Sequence, residues 1–203
     1  MQPDLPARPE YTAAFREIVL RIAGSLAGAQ RRLLPVRMYV AGGAAMHFYT
    51  GERVSEDIDA SFSRRLALPE DLEVAYRDAD GAARLLYFDR QYNDSMGLLH
   101  EDAYDDSMTL SLDGIDSSIV EVRLLSPTDL AVSKIGRLED QDRHDIAALA
   151  RHGLINAEVV RQRAEQAMSG YIGDLERLRN SIEIATRVIA DAERTAKRRR
   201  RGR

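Results

Sequence analysis

The chain contains no cysteine. That excludes a disulfide framework, a thiolate metal site and a cysteine nucleophile, and it fits a reducing, cytoplasmic setting. No apolar run approaches the roughly 20 residues of a membrane-spanning helix. The first residues also lack the charged-then-apolar order of a signal peptide, so a soluble, intracellular protein is expected. Histidine is scarce: His47, His100, His144 and His152 show no zinc spacing, and none pairs with an evident nucleophile. Positive charge is outnumbered outside one segment. The net charge is −4, but Lys197–Arg203 reads KRRRRGR, which leaves the preceding residues at about −10. A protein that coats nucleic acid would show a basic body instead.

What is present is ordinary for a folded chain. At 203 residues, 44% apolar and 31% charged, it is long enough for one domain, or one domain with an appendage, around a real core. Residues 1–9 carry three prolines and read as an extended lead-in. From Tyr11 to Arg32, Phe15, Ile18, Val19, Ile22 and Leu26 recur at helical spacing and predict a packing helix. Pro35 closes that segment.

The stretch from Val36 to Phe62 organises the rest. Val36-Arg37-Met38-Tyr39-Val40 alternates as a strand does. Ala41-Gly42-Gly43 breaks it, and Ala44 to Tyr49 has helical composition, so the glycines stand at a helix entrance. Unpaired first-turn amides and the helix dipole favour an anion there, and glycine lets a phosphate approach closely. Thr50-Gly51 ends the helix. Asp57-Ile58-Asp59-Ala60-Ser61-Phe62 reads as the next strand, with Asp57 and Asp59 on one face. Two adjacent carboxylates repel unless a cation lies between them, and such an oxygen site suits Mg²⁺ together with substrate phosphates. A phosphate cradle beside a carboxylate dyad points to phosphoryl or nucleotidyl transfer. Taken singly, the glycines also fit a plain tight turn, and the Asp-x-Asp fits a solvated strand edge.

Gly42-Gly43-Ala44 followed by Arg53-Val54-Ser55-Glu56-Asp57-Ile58-Asp59 resembles the signature of the nucleotidyltransferase superfamily. The likeness is greatest to the AbiEii-like toxin branch and the small uncharacterised (DUF6036-like) families beside it. The resemblance implies an α/β minimal nucleotidyltransferase fold: a small mixed β-sheet with flanking helices, followed by a helical C-terminal portion. It implies Mg²⁺ or Mn²⁺ on Asp57 and Asp59, with a third carboxylate on a later strand. Glu121 is the position chosen for that carboxylate and Asp116 its substitute; the alternative for Glu121 is a solvent-facing residue paired with Arg123. Gly42, Gly43, Ala44 and Arg53 are expected to meet the nucleotide, although Arg53 equally suits a structural partnership with Asp57 or Glu56. Ala44 stands where many active relatives carry serine.

Further along, Pro69 to Glu73 reads as a helix start, Arg84 to Phe88 as a strand, and 89–106 as a polar irregular segment. Met108 to Leu112 and Ile119 to Leu125 read as a β-hairpin pair. Ser126-Pro127-Thr128-Asp129 caps a helix that carries Lys134 and Arg137 on one face. Glu139 to Asp145 interrupts, and Ile146 resumes. The run from Ser126 to Ile146 resembles the second signature of the same toxin-like families. That likeness implies a triphosphate contact by Lys134, with Arg137 beside it, and an activity-linked aspartate at Asp142 or Asp145. The alternative is a salt-bridge network that clamps two helices.

From Ala157 onward apolar residues recur at helical spacing without proline. The expected division is a nucleotidyltransferase domain over 1–155, a helical extension over 156–196 and an unstructured basic tail over 197–203. The tail is either a solvated end or a contact for RNA phosphates. The resemblance implies an NTP substrate and an acceptor such as a tRNA 3′ end, in a toxin with a cognate antitoxin. Transfer to a partner protein, or a non-catalytic antitoxin or binding module, are the other readings, and the C-terminal helices suit a homodimer.

Overall fold

The computed structural model of the protein describes residues 6–92 and 97–201. It is a mixed α/β structure with two small sheets and, among the described residues, six α-helices. By compactness the chain divides after Leu124. One unit comprises residues 6–92 and 107–124; the other comprises 97–106 and 125–201.

The first unit holds both sheets. Helix α1 (Pro9–Ser25) starts on a proline suited to the first helical turn. It buries Tyr11 together with Phe15, Ile18, Val19 and Ile22 of the stripe read from the sequence, while Leu26, the last of that stripe, caps the helix half-buried. The helix stops at Ser25, and a short 3-10 turn (Arg31–Leu33) covers the end of the longer helix expected. Strand β1 (Val36–Val40) leads into helix α2 (Gly42–Thr50), whose residues from Gly43 onward are all buried. Strands β2 (Asp57–Ile58) and β3 (Ala60–Phe62) are one predicted strand broken at Asp59. Strands β4 (Glu73–Arg77) and β5 (Ala83–Phe88) form an antiparallel pair. The helix expected at Pro69 is therefore absent: Glu73 opens a strand in which exposed and half-buried residues alternate. Strand β6 (Met108–Thr109) runs antiparallel to β7 (Val120–Leu124), as the predicted hairpin requires, with the first strand shortened to two residues.

The sheet orders are β3-β1-β7-β6 and β2-β5-β4. Val36, Met38, Val40, Val120, Val122 and Leu124 are buried on one face of the first sheet. Ile58, Leu86 and Phe88 are buried in the second, and α1 lies against β4 and β5. Phe15 and Phe48 meet edge to face at 5.0 Å, and Phe62 stacks on Phe88 at 5.7 Å. Each fully buried side chain of this size contributes about 1.5–3 kcal/mol.

The second unit is helical. Helix α3 (Pro127–Ile135) is capped by Ser126, whose Oγ accepts the Asp129 N–H at 3.0 Å. Helix α4 (Asp140–Arg151) begins with a reciprocal capping box between Glu139 and Asp142. Asp142 and Asp145 thus belong to the helix, not to an interruption before it; the break is the short Gly136–Glu139 link. Helix α5 (Ala157–Ala167) is capped by Asn156, which accepts the Val159 N–H at 2.9 Å. Helix α6 (Leu175–Arg201) turns Leu178, Ile182, Ala185, Ile189 and Ala192 inward, a strict helical stripe that packs on α4 and α5. The helix runs to Arg201, into the segment expected to be unstructured. No helix among the described residues is long and apolar enough to cross a membrane.

Tyr11 is the most constrained residue of the first core. Its ring lies 4.2 Å from His47, and its hydroxyl is buried with no hydrogen-bond partner among the described residues. Burial pushes the phenol well above the ordinary tyrosine range, and Tyr76, Asp57 and Asp59 add to the effect. Removing an unsatisfied buried hydroxyl removes its desolvation cost. Tyr11→Phe is therefore expected to stabilise the fold by about 1 kcal/mol, read as a higher denaturation midpoint at unchanged m-value.

Candidate active site

The site begins where β1 ends. Ala41 is extended and Gly42 sits at φ +55°, a left-handed turn from which α2 starts. Backbone conformation is one reason for glycine; space is the other. A Cβ on Gly42 would fall 1.8 Å from Asp59 Oδ2. One on Gly43 would fall 2.1 Å from Ser55 Oγ and 3.2 Å from Arg53 Cζ. The two glycines are bare because the Arg53–Asp59 segment lies directly against them. Ala44 follows in the first turn of α2 and is fully buried.

Asp59 is also where the chain changes sheet. Its carbonyl accepts the Ala41 N–H at 2.8 Å. The residues before it pair with β5 and those after it with β1. Asp57 and Asp59 are half-buried and share a face, while Ile58 between them is fully buried. The hydroxyl of buried Ser55 donates to Asp57 Oδ1 at 2.5 Å.

His47, in α2, ties the loop down. Its Nδ1 donates to the Arg53 carbonyl at 2.5 Å, and its Nε2 accepts the Arg8 N–H at 3.1 Å. With both nitrogens so engaged the ring is neutral, and burial holds its pKa below the ordinary histidine range. His47 is thus a packing residue that fixes the approach to Asp57.

Strand β5 supplies a residue that sequence reasoning missed. It runs parallel to β2, with Asp57 beside Tyr87 and Ile58 beside Phe88, and the Asp89 N–H donates to the Ile58 carbonyl at 3.1 Å. The register therefore carries Asp89 alongside Asp59, on the same face. Its signal in the sequence was an acidic residue closing the apolar run Arg84 to Phe88, read there as the first residue of a polar loop. The Tyr87 phenol is raised above its ordinary range, first by Asp57, then by partial burial, Asp89, Glu56 and Asp59.

Glu121 is not brought to this site. It lies level with Arg37 on β7, roughly 13 Å along the strands from Ala41. There it bridges Arg123 Nη1 at 2.6 Å and Arg37 Nε at 3.2 Å. Burial alone would raise its pKa, but Arg123 and Arg37 hold the carboxyl below its ordinary range. Asp116 sits in the turn before β7 and accepts the Ser118 N–H and hydroxyl at 2.8 and 2.7 Å. Both acidic residues have local structural partners.

Lys134, Arg137, Asp142 and Asp145 come together within the second unit. Lys134 Nζ lies 2.7 Å from Asp145 and 3.6 Å from Asp142. Arg137 bonds both oxygens of Asp142 at 2.9 Å. Asp142 is fully buried and Lys134 is 6% exposed. Burial alone would raise the Asp142 pKa; Arg137 and Lys134 keep it below the ordinary range. This is the clamp between α3 and α4 read as the alternative in the sequence.

Among the described residues no three His, Cys, Asp or Glu side chains converge as a ready-made metal site. The donors that do adjoin are carboxylates alone. Mg²⁺ takes one or two carboxylates and completes its shell with water and substrate phosphates, so Asp57 and Asp59 fit such an ion without a third protein ligand.

Two variants test the two clusters. Gly42→Ala forces a Cβ into a left-handed residue, at about 1–2 kcal/mol, and pushes Asp59 aside. Denaturant unfolding should show at least that loss. Lys134→Met leaves Asp145 without its buried cation, and the loss of a buried partner costs about 3–5 kcal/mol. Lys134→Met/Asp145→Leu should recover much of that loss, and failure to recover would show that the pair is not the main stabilising contact of Lys134.

The chain matches the family model for nucleotidyltransferases of unknown function (DUF6036) over residues 19–194. No curated protein matches the chain, and no solved structure does. The family match takes in both signatures: the glycines with their carboxylates, and the Lys134 cluster. With most of its length inside the match, the chain belongs to the DUF6036 family of nucleotidyltransferases.

Proposed function

We propose that the protein is a Mg²⁺-dependent nucleotidyltransferase that transfers a nucleoside monophosphate from an NTP to an acceptor hydroxyl. The observation that carries this is the packing of Asp59 against Gly42, with Asp57 on the same face. It sets two carboxylates beside the first-turn amides of a helix long enough to carry a dipole. Asp57 and Asp59 would hold the metal, which when bound neutralises phosphate charge and acidifies the acceptor hydroxyl. Asp89 is the neighbouring carboxylate best placed by register to support it.

The residues of the chain would then divide the work as follows. The Gly42 and Gly43 amides and the Arg53 guanidinium would meet the negative charge of the phosphates. The acceptor oxygen attacks the α-phosphorus, the bond to the α–β bridging oxygen breaks, and pyrophosphate leaves. An oxygen of Asp57 or Asp59 takes the acceptor proton. Ser55 keeps Asp57 oriented by its hydrogen bond.

The acceptor proposed is an RNA 3′ end, tRNA first, in a toxin role. The likeness of both signatures to AbiEii-like toxins supports this, as does a basic segment carried on ordered helix to Arg201.

The test is incubation with Mg²⁺, each α-labelled NTP in turn, and total tRNA. Label should enter RNA. Asp57→Asn and Asp59→Asn should each lower transfer by about 10²–10³-fold, the scale seen when one transition-state contact is lost, with unfolding midpoints close to wild type. Label that enters protein instead would replace the RNA acceptor with a protein one. Full activity in both variants would end the proposal.

A further inference from the structure

Strand β5 is apolar on both faces. Leu86 and Phe88 point into the core and are 0% and 6% exposed. Leu85 and Tyr87 point the other way and are 41% and 40% exposed. A strand with one solvated face ordinarily alternates apolar with polar residues. In the first unit the only other large apolar side chain so exposed among the described residues is Leu33. The exposed pair is therefore not part of a general apolar surface.

Its position is specific. Tyr87 is paired directly with Asp57, and alternation puts Leu85, Tyr87, Asp57 and Asp59 on one face, with Asp89 continuing it. On the other side, Ala75 lies across from Leu85 and Glu73 across from Tyr87. The small side chain of Ala75 leaves the flank of Leu85 uncovered. A flat apolar strip thus begins one strand, about 4.8 Å, from the first carboxylate of the dyad.

We propose that Leu85 and Tyr87 form the platform on which the base of the donor NTP stacks. The inference rests on the nucleotidyl-transfer reading and names a contact within it. A nucleotide whose phosphate is held at Asp57 and Asp59 has its base one sugar away, the reach of a neighbouring strand. Asp57, Asp59, Asp89 and Glu56 surround the tyrosine with negative charge. They disfavour a bare anionic group over the ring and tolerate a neutral planar one. Stacking on an aromatic face serves every base, and the flanking Leu85 widens the surface.

The experiment compares full-length wild type with Tyr87→Ala, Tyr87→Phe and Leu85→Ala. The probes are each NTP, inorganic tripolyphosphate and total tRNA, all with Mg²⁺. Base stacking of roughly 1–3 kcal/mol corresponds to a factor of about 5 to 150. If the donor base stacks, Tyr87→Ala weakens NTP binding by such a factor, leaves tripolyphosphate affinity unchanged, and Tyr87→Phe restores most of the loss. Unchanged NTP binding with a KM for tRNA raised by that factor would overturn the donor assignment and give the strip to the acceptor's terminal base. Equal weakening of NTP and tripolyphosphate would mean that Tyr87 acts through the carboxylates, and would overturn the platform. So would wild-type values in every assay, which leave nucleotidyl transfer standing. Wild-type protein that binds neither NTP nor tripolyphosphate would overturn both. As Tyr87 is substantially exposed, the variants should melt with wild type, and a thermal scan checks this.

Discussion

The contact on which the candidate site depends is the approach of the Asp59 carboxylate to the α-carbon of Gly42. No side chain can stand at Gly42 without displacing that carboxylate. The same residue, through its backbone, holds the Ala41 N–H and carries the chain from one sheet to the other. One residue therefore fixes the start of α2, the seam between the sheets and the position of a carboxylate. Neighbouring contacts reinforce it. Ser55 fills the space left by Gly43 and orients Asp57, and His47 pins the Arg53 carbonyl so that the loop arrives at the right place. Each is local, short-range and at least half-buried. Such a site is held by shape before any ligand arrives.

The sequence showed this much because the signals were local. A strand, a glycine pair, a helix and an alternating acidic strand are adjacent in the chain, and periodicity with glycine placement reads them directly. Asp89 was not legible for a physical reason. Its position comes from the parallel pairing of β5 with β2, a register between segments separated in the chain by two further strands, and nothing in the local pattern sets that register. Glu121 failed for the complementary reason. Its alternation on β7 was read correctly, and it does lie on a strand beside β1, but alternation gives the face of a sheet and not the height along it. The misread helix at Pro69 shows a third limit. A proline followed by acidic residues has the composition of a helix start, yet pairing of Glu73–Arg77 with β5 decided otherwise, as tertiary context commonly does for strands.

The Lys134 cluster makes a different point about charge. Lys134, Asp142 and Asp145 are buried and paired within one helical unit, with the exposed Arg137 bonded to Asp142, and a buried ion pair brings little net stability against a well-packed apolar substitute. What it does bring is intolerance of partial loss, because each carboxylate depends on its cation. The capping box ties Asp142 to the start of α4 as well, so the same carboxylate caps one helix and anchors the other. A residue pattern shared across a family can arise from that requirement alone. The clamp and a role in activity are therefore not separable from the motif, only from the chemistry of each atom.

At the Asp57–Asp59 face the balance of charge runs the other way. Glu56, Asp57, Asp59 and Asp89 all act on the Tyr87 phenol in the direction that disfavours its ionisation, and Arg53 is the cation set against the glycines nearby. Half-buried carboxylates in the same field raise one another's energy, and a polyphosphate brought to them bare would raise it further. An anionic substrate and this anionic face would become compatible through the divalent cation proposed above, which would convert two repulsions into attractions. The neutral parts of a nucleotide have no such conflict and can rest on the apolar strip beside the carboxylates. On the proposed reading the same face would separate a ligand by chemistry, with phosphates directed to the carboxylate and glycine end and the base to β5.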